Sequence, residues 1–301
     1  MPIDRSHLLK RGVDRLTRPL PALETGDVPA LHRTRVASRR LRELVPMLQI
    51  EAEVAKKLGR RLRKITRRLG TVRELDVLLI LIDELHGSRR EHREALSRVA
   101  VAVARKRDEA RKRLFDRLPL EGLWRVAKKI ERVADDLEDA EESDAAVAAR
   151  AWQSSVDVRV ARRAERVTAA IDEAGAVYLP GRLHTVRVAL KKLRYATELA
   201  SEIAGGKATP DLKTLRRAQD TLGRLHDLQM LTERVRQVQA SLTPPSVPLW
   251  RALDALVTAL DNECRQLHAR YMRVRPELQA VAARLVRSQA EVPDSHARRA
   301  G

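Results

Sequence analysis

His32, Arg35, Arg39 and Arg42 are spaced i, i+3, i+7 and i+10 within LHRTRVASRRLRE, residues 31–43. On a helix they fall within about one quarter of the circumference, making a row of three guanidinium groups and one imidazole. The segment returns at residues 183–195 as LHTVRVALKKLRY, with seven of thirteen positions identical. There the row is His184, Arg187, Lys191 and Arg194. Guanidinium forks clamp phosphate or carboxylate oxygens in pairs, and an ammonium adds a mobile point charge. A row of such groups repels itself unless something negative lies along it, so the chemistry implied is recognition of an anion.

A second pair of rows follows each motif. Residues 52–69 place Arg60, Arg63, Lys64 and Arg67 opposite Leu58, Leu62, Ile65 and Leu69. Setting Leu69-Gly70 on Leu222-Gly223 aligns this segment with the second half at a shift of 153 residues, against 152 for the first motif. Lys213, Arg216 and Arg217 then take the places of Arg60, Arg63 and Lys64, while Asp220 replaces Arg67. The chain therefore carries an internal duplication.

The elements that must hold these rows read as helices throughout. Ala37, Leu41, Leu44 and Leu48 lie opposite the first cationic row, as Ala189, Leu193 and Ala196 lie opposite the second, so each helix has an apolar side to bury. The periodicity predicts helices over residues 5–17, 29–49 (with Pro46 marking a kink or early end), 52–69, 89–118, 122–140, 144–175, 182–204, a helix to about 241, and 247–287. Residues 22–30 read as loop. Gly70 suits a helix C-terminus, and Thr71 followed by Glu74 resembles a capping box opening a separate, very apolar core helix, RELDVLLILIDEL, which ends at a Gly87-Ser88 hinge. The acidic block at residues 131–144 reads as a solvated helix end or linker between halves. The last dozen residues read as disordered.

Composition agrees with an all-α chain of two similar halves. Hydrophobic residues form 44% of the 301, with only seven aromatics, and no strand-length alternation rich in Val, Ile or Thr is present. Sixty Lys and Arg against 41 Asp and Glu leave a net charge of +19, which implies a polyanionic partner. Nucleic acid is the default polyanion, but single-strand binders usually stack bases on aromatic platforms, so a ligand that is charge without bases fits better. The single cysteine, Cys264, excludes an intramolecular disulfide framework. The charged start MPIDRSHLLKRG and the lack of any run of about eighteen apolar residues lead to the expectation of a soluble cytoplasmic protein with no membrane partner.

Cations rather than carboxylates surround His32 and His184, which argues against a metal site and for phosphate contact near a helix N-terminus; phosphotransfer through histidine is the alternative. The sequence has no glycine-rich phosphate loop, activated nucleophile pair or dense acidic cluster, so no catalytic residue and no cofactor are expected.

The paired LH-x-x-RVA-x-(R/K)(R/K)-LR motifs, each followed by a basic helix and a Leu-Gly step into (R/H)-(E/D)-L, resemble the CHAD domain, the conserved histidine α-helical domain, over about residues 5–290. The resemblance implies two four-helix bundles, about 5–140 and 141–290, related by a pseudo-twofold axis, with basic residues of both lining a central cavity. It implies binding of inorganic polyphosphate and association with polyphosphate or polyhydroxyalkanoate granules. Arg73, Glu74 and Asp76 match the acidic step of the first half; in the second His226 and Asp227 match, but Gln229 stands where Asp76 does. These acids suit orientation and neutralisation of arginines. Two other readings stand beside this one: a general nucleic-acid or polyanion binder, with outward cationic rows, and an enzyme that processes polyphosphate.

Overall fold

The computed structural model describes residues 4–141, 145–206, 210–244 and 246–290, and among these there is no strand. The helices are α1 (Arg5–Thr17), α2 (Leu20–Glu24), α3 (Val28–Leu44), α4 (Ala52–Ser88), α5 (Arg93–Arg117), α6 (Leu120–Glu141), α7 (Ala145–Ala174), α8 (Pro180–Ile203), α9 (Pro210–Ala240) and α10 (Val247–Ala290), with 3-10 turns at Val45–Met47 and Arg90–His92. The expected disordered tail and residues 142–144 of the acidic block lie outside the described residues. No described helix is long and apolar enough to cross a membrane.

The start and stop signals act where local chemistry demands. Asp27 caps α3 by accepting a hydrogen bond from the Ala30 N–H, and Pro29 occupies the first turn, where its missing N–H costs nothing. The α-helix gives way at Pro46 to a 3-10 turn whose end is tied to α1 by Arg5, donating to the Leu48 carbonyl at 3.0 Å. The stretch read as loop at residues 22–30 contains the end of α2 and the start of α3. Between them Gly26 adopts φ +90°, and the space a Cβ would need is filled by the Arg111 guanidinium.

The break expected at Gly70 does not exist. α4 runs unbroken through Gly70 to Ser88, so residues 52–69 and the apolar RELDVLLILIDEL stretch form one helix, and Glu74 caps nothing. Leu62, Ile65, Leu69, Val72, Leu75 and Leu78 continue one buried stripe across the glycine, and that continuity of packing outweighs its weak helix propensity. The hinge falls one residue past Ser88, at Arg89, and α5 begins at Arg93.

Packing follows the chain. α1 lies on α3 and α6, α3 on α4, and α4 on α5; α7 lies on α8, α8 on α9, α9 on α10, and α10 returns onto α7. The two groups meet where α3 touches α8, α4 touches α9, and α5 touches α9 and α10. A single contiguous apolar core, dominated by Leu, Val and Ala, extends from Leu8 to Ala282. Between α3 and α4 small polar residues allow close approach: the Ser38 and Thr66 hydroxyls are 3.0 Å apart, and Thr34 and Thr66 each bond a carbonyl of the preceding turn.

An added Cβ meets nothing within 4 Å at Gly223 in α9, and at Gly70 its nearest neighbour is the Arg35 Nε at 3.5 Å, an ordinary contact. Gly223→Ala should therefore raise unfolding free energy by about 0.5–1 kcal/mol, and Gly70→Ala should not lower it. A lower urea midpoint in both variants would show that the chain is broken at these glycines.

Candidate functional site

α3, α4, α8 and α9 turn their cationic faces toward one another around a chamber of about 770 Å³. α3 contributes His32, Arg35, Arg39, Arg40, Arg42 and Glu43, and α8 contributes the residues at the same motif positions: His184, Arg187, Lys191, Lys192, Arg194 and Tyr195. α4 lines it with Arg63, Thr66, Arg67, Arg73, Glu74 and Val77; α9 with Gln219, His226, Asp227 and Met230. Under the 153-residue shift, Gln219, His226, Asp227 and Met230 correspond to Thr66, Arg73, Glu74 and Val77, so the duplicated sequence presents matching positions to one space. Eleven Arg or Lys side chains face it, against three carboxylates.

Not every predicted residue reaches the chamber. Arg60 lies a turn nearer the α4 N-terminus than Arg63, and Lys64 is turned about 100° from it; both are exposed outside the cavity wall. On α9, Lys213 is exposed, Arg217 pairs with Glu277 of α10, and Arg216 is drawn to Glu198 at 3.0 Å. Asp76 is only 3% exposed and lines a separate small cavity with Asp27 and Arg111, away from the chamber. Both its oxygens lack a hydrogen-bond partner, and burial raises its pKa against the pull of Arg73, Arg107 and Arg111. The first turn of α3 is not open to an anion either, because Ala30 N–H donates to the Asp27 carboxylate and Leu31 N–H to the Asp27 carbonyl. Any anion at His32 is met by side chains.

Several chamber residues escaped the sequence reading. Arg40 and Lys192 stand beside members of the rows. Tyr195 packs under two cations, its ring 4.5 Å from the Arg194 guanidinium and 5.1 Å from that of Arg39. Glu43 is held from behind by Arg163 at 2.9 Å and Arg159 at 3.2 Å, both from α7. Gln219 accepts from Arg194 Nε at 2.7 Å. The positions of Arg40, Glu43, Lys192 and Tyr195 within the two motif copies were the available signal; the contacts of Glu43 and Gln219 with other helices leave none.

The electrostatics are those of a crowded cationic space. Burial, reinforced by Arg39, Arg187, Arg35 and Arg194, pushes Lys191 down to about 6, and burial pushes Arg39 down to about 10. His226 falls to about 4 for the same two reasons, burial and then Arg187, and its ring lies 4.8 Å from that of His184. His32 and His184 are also lowered, first by burial, so at neutral pH these imidazoles are uncharged hydrogen-bonding groups. Arg35, Arg39 and Arg187 each carry a buried Nε without a protein acceptor. Asp227 is raised by burial and held back most by Arg187. Among the described residues no group of three His, Cys, Asp or Glu side chains is placed to hold a metal ion. The arrangement can neutralise and clamp several oxyanions at once.

A family model described as CHAD domain matches residues 7–236. Among solved structures, PptA from Streptomyces chartreusis superposes with a TM-score of 0.62 at 17% identity, covering 90% of this chain and 98% of that one. The CHAD domain from the plant Ricinus communis gives a TM-score of 0.56 at 21% identity, covering 88% and 90%. At these identities the likeness concerns the fold. No curated protein matches at a significant level.

The lowered pKa of Lys191 makes a stability prediction. The unfolded chain takes up the proton below about 10.5 and the folded chain only below about 6, so Lys191 costs stability at neutral pH, less as pH rises toward 10.5. Lys191→Met should melt higher than the unsubstituted protein at pH 7, with the gap closing near pH 10.5. Equal melting temperatures at pH 7 would place a charged Lys191 in the folded chain.

Proposed function

The chain belongs to the CHAD domain family, and from that premise we propose that its central chamber binds inorganic polyphosphate. One observation carries the proposal: eleven Arg and Lys side chains from four helices converge on one cavity, with the buried Nε atoms of Arg35, Arg39 and Arg187 still lacking an acceptor. Polar groups so placed are normally satisfied, and a chain of phosphate oxygens offers acceptors in the number and charge required. Affinity comes from charge neutralisation and counterion release and falls as salt rises.

The two-bundle, pseudo-twofold architecture belongs to the same proposal. It is supported by the matching lining of α3 with α8 and of α4 with α9, and by the contacts within each pair. The chain acts as a binding protein rather than a hydrolase: Glu74 and Asp227 lie among guanidinium groups that they orient and partly neutralise. Association with polyphosphate or polyhydroxyalkanoate granules follows as a consequence of carrying such a ligand. The exposed cations of α4, Arg60 and Lys64, favour a weaker second activity, non-specific attraction of nucleic acid to the outer surface.

A competition titration separates the two. Labelled long-chain polyphosphate is displaced by unlabelled polyphosphate, duplex DNA and orthophosphate at two salt concentrations. Polyphosphate should win by orders of magnitude at physiological salt, because a flexible chain enters the chamber and a rigid duplex does not. Arg35→Ala with Arg187→Ala should weaken polyphosphate binding by about a hundredfold or more, given ~1.5–3 kcal/mol for each charge-assisted bond. His32→Ala with His184→Ala should weaken it less, at unchanged helical content. DNA competing equally per charge would make this a general polyanion binder.

A further inference from the structure

Two of the cavities that share lining residues with the chamber differ in charge. One lies between α8 and α9, sharing Arg187, Lys191, Gln219 and Asp227 with the chamber. Its three cations are opposed by two acids, Asp220 and Asp227, and its outermost cation, Arg224, is occupied by Glu84 at 2.7 Å and Glu263 at 3.5 Å. The other is a groove of about 810 Å³ bounded by α1, α2 and α3, which shares His32, Val36 and Arg40 with the chamber. Five arginines line it, Arg11, Arg15, Arg18, Arg33 and Arg40, against the single acid Asp14, while Arg33 reaches Asp27 at 3.5 Å and Arg40 reaches Glu198 at 3.8 Å from outside the lining. Arg11 and Arg15 on α1 and Arg18 at its C-cap stand at i, i+4 and i+7 and span about 10 Å along the helix direction. Arg11 and Arg15 lean on one shared carboxylate, Glu202, at 2.5 and 3.7 Å, and so remain under-neutralised as a pair. The groove floor includes the apolar side chains of Val36 and Ala37, which limit water on one side of the guanidinium groups and strengthen their field.

The geometry points to the α1–α3 groove as a second phosphate-chain site, which takes the part of a linear polyphosphate that emerges from the chamber past His32 and Arg40. This inference rests on the chamber binding polyphosphate and adds a selection for chain length. A short oligophosphate fills the chamber alone; a long chain also reaches Arg15, Arg18 and Arg33. The chain leaves on this side because the other cavity presents carboxylates to it.

The test uses the full chain with Arg15, Arg18 and Arg33 changed together to Gln; all three side chains are exposed, and Arg18→Gln alone serves as a milder second variant. Tripolyphosphate and long-chain polyphosphate are titrated against both variants and the unsubstituted protein over a range of salt. Long-chain affinity should fall about tenfold or more in the triple variant, with a smaller loss in the single one. Its dependence of log K on log salt should flatten by about 2, from three lost contacts at ~0.7 each. Tripolyphosphate affinity should stay within twofold. Unchanged long-chain affinity, or an equal loss for both ligands, overturns the groove as a separate site while the chamber reading stands. If the unsubstituted protein binds neither ligand, the chamber reading itself fails and the groove with it.

Discussion

Repulsion among like charges held close together is the constraint on which the rest of the structure depends. Eleven basic side chains around one cavity, if all charged, would drive four helices apart in a low-dielectric setting. What opposes them is the apolar side of each helix. Leu41 and Leu44 on α3, Leu62 and Leu69 on α4, Leu190 and Leu193 on α8 and Leu222 and Leu225 on α9 are all fully or nearly fully buried in one continuous core. Hydrophobic burial of this extent holds the rows in place. Burial, with that repulsion added to it, lowers the pKa of Lys191 and Arg39, groups that sacrifice part of their hold on the proton rather than their position.

A small set of neutral and acidic residues decides how far each cation is relieved. Glu43 neutralises α7 arginines at the chamber wall, Glu198 collects Arg194 and Arg216, and the Tyr195 ring lies under Arg39 and Arg194. Arg35 and Arg187 keep a buried Nε without a partner, as does Arg39 despite its contact with the Tyr195 ring. The site is thus graded, with some cations fixed as scaffold and others left to meet a ligand. The same logic distinguishes the two neighbouring cavities, one lined by three basic residues and two acids and the other by five arginines and one acid.

The fold class and the heart of the candidate site were legible because both depend on periodicity. A 3.6-residue repeat fixes the direction of a side chain around its own helix, and His32, Arg35, Arg39 and Arg42 remain neighbours wherever that helix lies. Their repetition in α8 made the assignment stronger than any single row could. Gly70 misled for the converse reason. A glycine followed by a capping-box pattern is a local signal, and the leucine stripe that carries α4 through it draws its weight from contacts with other helices. The outer members of the basic rows, Arg60, Lys64, Lys213 and Arg217, share the composition of the inner ones and differ only in height along the helix or in an acidic partner far away in sequence.

The sequence by itself determined that this protein is helical, duplicated, strongly basic and equipped with two matched cationic rows backed by apolar faces, since composition and spacing are properties of the chain. Only the tertiary structure decided which rows face each other, that α4 is continuous, that Arg216 and Arg217 are diverted to Glu198 and Glu277, and that a groove beside α1 shares lining residues with the chamber. Those outcomes depend on how helices pair and at what height they meet. Such contacts join residues on different helices, from 18 positions apart for Arg216 and Glu198 to more than a hundred for α3 and α8, where local periodicity carries no information.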